Sequence, residues 1–215
     1  MKEEDLKCLL DNSFTHLMEA IENNSCRFHI FRQGDGKPRI SEQELKYCFI
    51  ETFISTIGFD KYKYSVETPT LKKYSFTKEG KHKSPECLGE NSREGRCGNI
   101  DVVLFEGDKR VALIEFKANH AGAFEHAKDV CKLENEPGDA VLRFFVEIFE
   151  STNEESLRKL EEKLYCNVYN NNAVKTTFIG YSLHHAETDK SEKIVGNNSK
   201  KEVLIDISSP CEKQA

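Results

Sequence analysis

The sequence predicts an α/β fold: a single domain with a central mixed β-sheet flanked by helices. Three observations carry this. Helical apolar spacing recurs at 4–22 and 41–57, before any strong strand pattern. Two short runs, Val102–Phe105 and Val111–Ile114, are apolar on both faces, as in strands covered on both sides. Beyond them a helical stretch, an apolar strand, another helical stretch and further strands alternate to the C-terminus.

The chain has 215 residues, enough for one sizeable core, with 38% apolar and 32% charged residues. No apolar run approaches the length of a membrane span. The opening Met1-Lys2-Glu3-Glu4-Asp5 lacks the apolar core of a signal peptide, which leads us to expect a cytoplasmic protein. Eight cysteines without a CxxC pair are then expected to be reduced thiols, several of them packed as small apolar residues. The net charge of −6 excludes a bulk basic footprint, so a nucleic-acid surface has to be local.

Taken in order, Leu6, Leu10, Phe14, Leu17 and Ile21 give the first helix its stripe, and Asn23-Asn24-Ser25 ends it. Arg27–Arg32 reads as a short strand and Gln33–Pro38 as a loop. Ser41 with Glu44 fits a capping box opening the second helix, and Gly58 follows its end. Its apolar stripe is Leu45, Phe49, Phe53 and Ile57. Tyr62–Phe76 reads as strand material broken at Pro69, and Lys78–Gly98 as a long polar loop. Lys61 to Lys83 holds seven lysines with interleaved tyrosines. Lys61, Lys63, Lys72 and Lys73 are candidate phosphate contacts there, with Tyr62 and Tyr74 as candidate stacking partners.

The two covered runs form a hairpin around Glu106-Gly107-Asp108-Lys109. Asp101, Glu115 and Lys117 lie at its open end, where buried charge is costly unless paired or metal-bound. Register decides whether they meet. A plain two-residue loop at Gly107-Asp108 pairs Glu115 with Ile100 and sends Asp101 to the other face. A three-residue loop, or its bulged equivalent, sets Asp101 opposite Glu115, with Lys117 two residues on and on the same face.

An acid on one core strand, then acid-any-Lys on the next, resembles the PD-(D/E)xK nuclease superfamily, with Asp101 and Glu115-Phe116-Lys117 as the match. The acid-any-Lys triplet occurs six times in the chain, and only the one at Glu115 lies in a strongly apolar strand following a strand that carries an acid. Ile100 stands where the family usually has proline. The resemblance implies a restriction-endonuclease-like αβββαβ core over residues 41–149, with the 4–22 helix before it and a C-terminal helix and strands at 152–207. It implies hydrolysis of DNA phosphodiesters, in restriction, repair or defence, and Mg²⁺ or Mn²⁺ as cofactor. Asp101, Glu115, the Phe116 carbonyl and a helix glutamate (Glu51, or Glu44) would be the ligands. DNA is the implied partner, with a homodimer possible in such folds and no role for a membrane. The other reading is a nuclease-fold module that binds nucleic acid or a protein without cleaving.

Past Lys117, a helix is expected over Phe124–Glu134, with His120, His126, Lys128 and Lys132 near its start or along it, on a solvated face or, as the other reading, in contact with phosphate. Pro137-Gly138-Asp139 is a turn and Val141–Phe149 a strand. Thr152 with Glu155 suggests a capping box and a helix to Tyr165. Asn170–Asn172 is a turn, Thr176–Leu183 a strand, Lys190–Lys201 a polar linker and Val203–Ile207 a last short strand.

Overall fold

The computed structural model describes residues 1–23, 39–57, 60–76, 85–119, 121–138, 140–150, 176–183, 192–197 and 200–205, with a few isolated positions between. The expected strand at 27–32, the loop at 33–38, the helix to Tyr165 and the turn at 170–172 lie largely outside the described residues, as does His120.

Among the described residues three helices and eight strands make one α/β domain: α1 (Glu3–Asn23), α2 (Glu42–Thr56), β1 (Tyr62–Ser75), β2 (Glu86–Gly89), β3 (Arg96–Glu106), β4 (Lys109–Ala118), α3 (Ala123–Asn135), β5 (Leu142–Phe149), β6 (Thr177–Ser182), β7 (Glu192–Asn197) and β8 (Lys200–Ile205). The strands form a single mixed sheet in the order β2-β1-β3-β4-β5-β6-β7-β8. Pairing is antiparallel from β2 to β4, parallel across β4-β5-β6, and antiparallel again to β8. The parallel β4–β5 step requires a crossover, which α3 supplies. No helix among the described residues is long and apolar enough to cross a membrane.

Both faces of the sheet are covered. On one, Leu6, Leu10, Phe14 and Leu17 of α1 and Leu45, Phe49 and Phe53 of α2 pack on Val102, Leu104, Ile114, Phe116 and Val146. On the other, Val130 and Leu133 of α3 pack on Val103, Leu113 and Phe145. Each fully buried Val, Leu, Ile or Phe stabilises the fold by roughly 1.5–3 kcal/mol, so the β3–β4 hairpin is firmly held in the sheet. The Ser41–Glu44 capping box forms: Ser41 N–H donates to Glu44 Oε2 at 2.8 Å and Gln43 N–H to Ser41 Oγ at 3.3 Å.

Three expectations change. The stretch 78–98 is not one loop: β2 lies inside it and β3 begins at Arg96. The polar linker at 190–201 holds β7 and the start of β8. β2 lies at one edge of the sheet, and β7 and β8 lie at the other. Pro69 does not break β1 either. It sits opposite Asn99, and the register shifts only between Pro69 and Lys73.

Candidate functional site

The geometry of the site begins with a bulge. β3 and β4 join through a two-residue turn at Gly107-Asp108, with Gly107 at φ +60° and Glu106 opposite Lys109. Continued unbroken, that register would set Asp101 and Glu115 on opposite faces. It does not continue. Phe105 pairs with Arg110, but Leu104 pairs with Ala112, leaving Val111 as the extra residue of a β-bulge. Beyond it Val103 faces Leu113 and Val102 faces Ile114, a register that, carried one step further, would set Asp101 level with Glu115.

There the ladder is interrupted. The Phe116 N–H donates to Asp101 Oδ2 at 2.7 Å, a side-chain acceptor in the place of a strand carbonyl. On β3's other side Glu67 takes a left-handed φ of +49°, between pairs Val66–Val102 and Thr68–Ile100. For a non-glycine residue this is a strained conformation, of the kind that persists where surrounding structure imposes it. Glu67 and Asp101 both face Lys46 of α2: its ammonium is 2.9 Å from Glu67 Oε1 and 3.5 Å from Asp101 Oδ1.

Glu115 is 1% exposed and Asp101 8%. Lys132 of α3 brings its ammonium 2.6 Å from Glu115 Oε1, 2.8 Å from Asp129 Oδ1 and 2.6 Å from the Asn99 carbonyl. The contact with Glu115 Oε1 is a buried, charge-assisted one between ammonium and carboxylate. Lys117 lies 2.6 Å from Asp129 Oδ2 and 3.7 Å from Glu42 Oε2. Four carboxylates (Glu42, Asp101, Glu115, Asp129) and three lysines (Lys46, Lys117, Lys132) thus interlock where β3 and β4 part.

The electrostatics follow from crowding. Burial, then the charges of Asp129 and Asp101, push the Glu115 carboxyl well above its ordinary range against the pull of Lys132. Asp129 is buried too, yet Lys132 and Lys117 together hold it below the usual carboxylate value. Burial opposes charge on Lys117, but Asp129, Glu42 and Glu115 more than offset it and raise its pKa. Burial likewise opposes charge on Lys132, and Glu115 and Asp129 lift it to about 12. Both lysines are therefore fixed cations at neutral pH.

Two of the expected helix ligands lie elsewhere. Glu44 is held by the capping box, and Glu51 faces His16 of α1 at 3.6 Å. Glu42 is the α2 carboxylate that reaches the cluster. At about 100° per residue, Glu44 is rotated about 200° and Glu51 about 180° from Glu42 on the helix. The proposed phosphate and stacking residues do not form one patch. Tyr62 and Tyr74 are buried, and the Tyr74 hydroxyl donates to Glu136 Oε1 at 3.0 Å. Lys61 and Lys63 lie by the hairpin turn, with Lys61 3.5 Å from Glu106, while Lys72 and Lys73 are nine residues along β1, about 30 Å away at strand rise. Lys73 donates to the Ser92 carbonyl at 2.7 Å.

Sequence reasoning missed Glu42, Lys46 and Asp129 as site residues, and it favoured a solvated face for Lys132. Glu42–Lys46 at i,i+4 and Asp129–Lys132 at i,i+3 are signals that pattern alone reads as ordinary helix ion pairs. Nor is the face of α3 carrying His126 and Lys132 solvated. Both are buried, and His126 Nε2 lies 2.7 Å from Glu147 Oε2.

The donor chemistry suits a hard dication. Its oxygens are carboxylate and carbonyl only, and they are already met by cations: Glu115 Oε1 by Lys132 and Asp129 Oδ2 by Lys117. Among the described residues no three His, Cys, Asp or Glu side chains are spaced to close on one ion. That is no bar for Mg²⁺, which usually takes one or two carboxylates and completes its shell with water and phosphate. Comparison of the chain with protein-family models, with curated proteins and with solved structures finds no match.

Proposed function

We propose that the chain is a metal-dependent nuclease of the PD-(D/E)xK, restriction-endonuclease-like type that hydrolyses phosphodiester bonds in DNA. The observation that supports this reading is the bulge at Val111, which shifts the hairpin into the register whose continuation would set Asp101 opposite Glu115, with Lys117 on the Glu115 face. The order α2-β1-β3-β4-α3-β5, with β5 parallel to β4, supports it as the expected αβββαβ core with the short β2 inserted.

Asp101 and Glu115, with the Phe116 carbonyl and Glu42 beside them, are the residues that would hold Mg²⁺ or Mn²⁺. Such an ion supplies a polarised phosphoryl oxygen and a more acidic water. Lys117 is too firmly protonated to take a proton, so its part is electrostatic: a preorganised positive charge beside the phosphate as negative charge builds up. Asp129 orients that ammonium through its 2.6 Å contact. Lys132 neutralises Glu115 and has Asp129 as a second partner to keep when a dication takes the carboxylate.

The test is cleavage of supercoiled plasmid and labelled oligonucleotides with Mg²⁺, with Mn²⁺ and with EDTA. Metal-dependent products lost in Glu115→Gln are expected. The close seat of Lys132 on Glu115 favours a second reading, a non-cleaving module whose acids are permanently neutralised by lysine. Binding without cleavage in either metal decides for that reading.

A further inference from the structure

A second cleft opens against the cluster, on the α3 side. It has a volume of about 290 Å³ and lies between the first half of β3 and α3; Phe76, Arg96, Gly98, Asn99, Lys128 and Lys132 line it. The space is near the lower end for small-ligand sites, about 300 Å³, which suits one nucleotide rather than a base pair. Lys132 and Asp129 also line it, so it adjoins the carboxylates of the proposed reaction site directly.

Its walls combine cations with an aromatic ring. The Arg96 guanidinium lies 6.0 Å from the Phe76 ring centre and has no ion pair among the described residues. Lys128 Nζ lies 5.7 Å from the same ring. Its partner Glu125, at 2.7 Å, is a partly exposed i,i+3 neighbour on the same helix, a contact weak enough to exchange for a phosphate. The ring itself is braced: Phe76 stacks on Tyr74 at 5.7 Å with planes 8° apart, and Tyr74 is anchored by its hydroxyl to Glu136. Gly98 keeps the gap open, since a Cβ there would come 2.8 Å from Lys132 Cδ and 3.4 Å from Phe76 Cζ.

We infer that this cleft seats one unpaired nucleotide of a DNA strand, its base against Phe76 and its phosphates on Arg96 and Lys128, beside the reaction site. Base–aromatic stacking within a cationic groove is how single strands are held without sequence reading. The inference rests on the nuclease reading for what happens next to the cleft, not for the binding itself. It also supplies the local basic surface that a chain of net charge −6 requires.

The experiment is fluorescence anisotropy of the full chain with a labelled 20-nucleotide oligo-dT and a blunt 20-base-pair duplex, in EDTA, over a range of salt. The single strand should bind more tightly than the duplex. Phe76→Ala should weaken single-strand binding about tenfold with the salt slope unchanged, and Phe76→Trp should restore it. Arg96→Ala should weaken binding and lower the salt slope by about 0.7, the loss of one phosphate contact. Arg96 is exposed, so that variant remains informative if Phe76→Ala fails to fold in a thermal melt. Unchanged affinity in Arg96→Ala and Phe76→Ala, no preference for the single strand, or no binding by the wild type overturns the inference. If these variants lose binding while the wild type cleaves nothing with Mg²⁺ or Mn²⁺, the cleft stands and the nuclease reading falls.

Discussion

Two sets of buried charges sit along α3, and they are built on opposite principles. At its C-terminal end Glu136, 2% exposed, has a donor for every direction: Leu71 N–H at 2.8 Å and Arg110 Nη1 at 2.9 Å on Oε2, Lys72 N–H at 3.1 Å and the Tyr74 hydroxyl at 3.0 Å on Oε1. Arg143 finishes the same corner, donating to the carbonyls of Leu133, Glu136, Gly138 and Val141. Two turns earlier, Glu115 and Asp129 share Lys132 between them, and Asp129 takes Lys117 as well, so each carboxylate is balanced by an ammonium that another carboxylate also claims. One carboxylate is satisfied and the others are crowded. Satisfied buried charge fixes a conformation; crowded buried charge keeps affinity in reserve for another cation or a changing substrate.

The largest effect should come from breaking the satisfied site. Glu136→Ala leaves Arg110, two backbone N–H groups and a tyrosine hydroxyl without their acceptor, and should cost about 3–5 kcal/mol in urea unfolding. A loss under about 1 kcal/mol would erase the distinction between the two regions. Next in size, Glu115→Gln should lower cleavage by about 10²–10³ while shifting the urea midpoint little. Asp101→Asn should behave alike, and the double variant should be no worse than either single one, because both acids serve one centre.

The pH dependence of stability sharpens the comparison further. Glu115 has a raised pKa in the fold, so the unfolded chain gives up that proton first, near the ordinary value of 4.5. Stability therefore falls as pH climbs above that point on account of Glu115. Asp129 has the opposite sign: its contribution is present above 3.8 and lost as pH falls. Glu115→Gln removes only the first of these. The stability of that variant relative to wild type should rise between pH 4.5 and pH 7.5 in matched urea titrations; a constant difference would mean that Glu115 carries its charge without penalty. The smallest effect is reserved for the lysines at the hairpin turn. Lys61→Ala with Lys63→Ala touches exposed side chains and one loose ion pair, and should change stability by no more than about 0.5 kcal/mol and leave cleavage unaltered.

What the sequence determined by itself was the class of fold, the helices at 4–22 and 41–57, the covered hairpin and the three charges at its open end. Apolar periodicity and turn chemistry act over a few residues and are legible in order along the chain. Which register the hairpin takes was not decided there. Val102, Val103 and Leu104, like Ala112, Leu113 and Ile114, are apolar on both faces, so alternation cannot tell one register from the next, and only the bulge at Val111 in the packed sheet set the parity. The rest of the cluster was likewise a matter of tertiary placement. Glu42 and Asp129 resemble ordinary helix-surface acids until α2 and α3 are laid on opposite faces of the sheet. Their carboxylates then meet Lys117 from two sides, because a charge's partners across a sheet depend on helix rotation and crossing rather than on any local spacing.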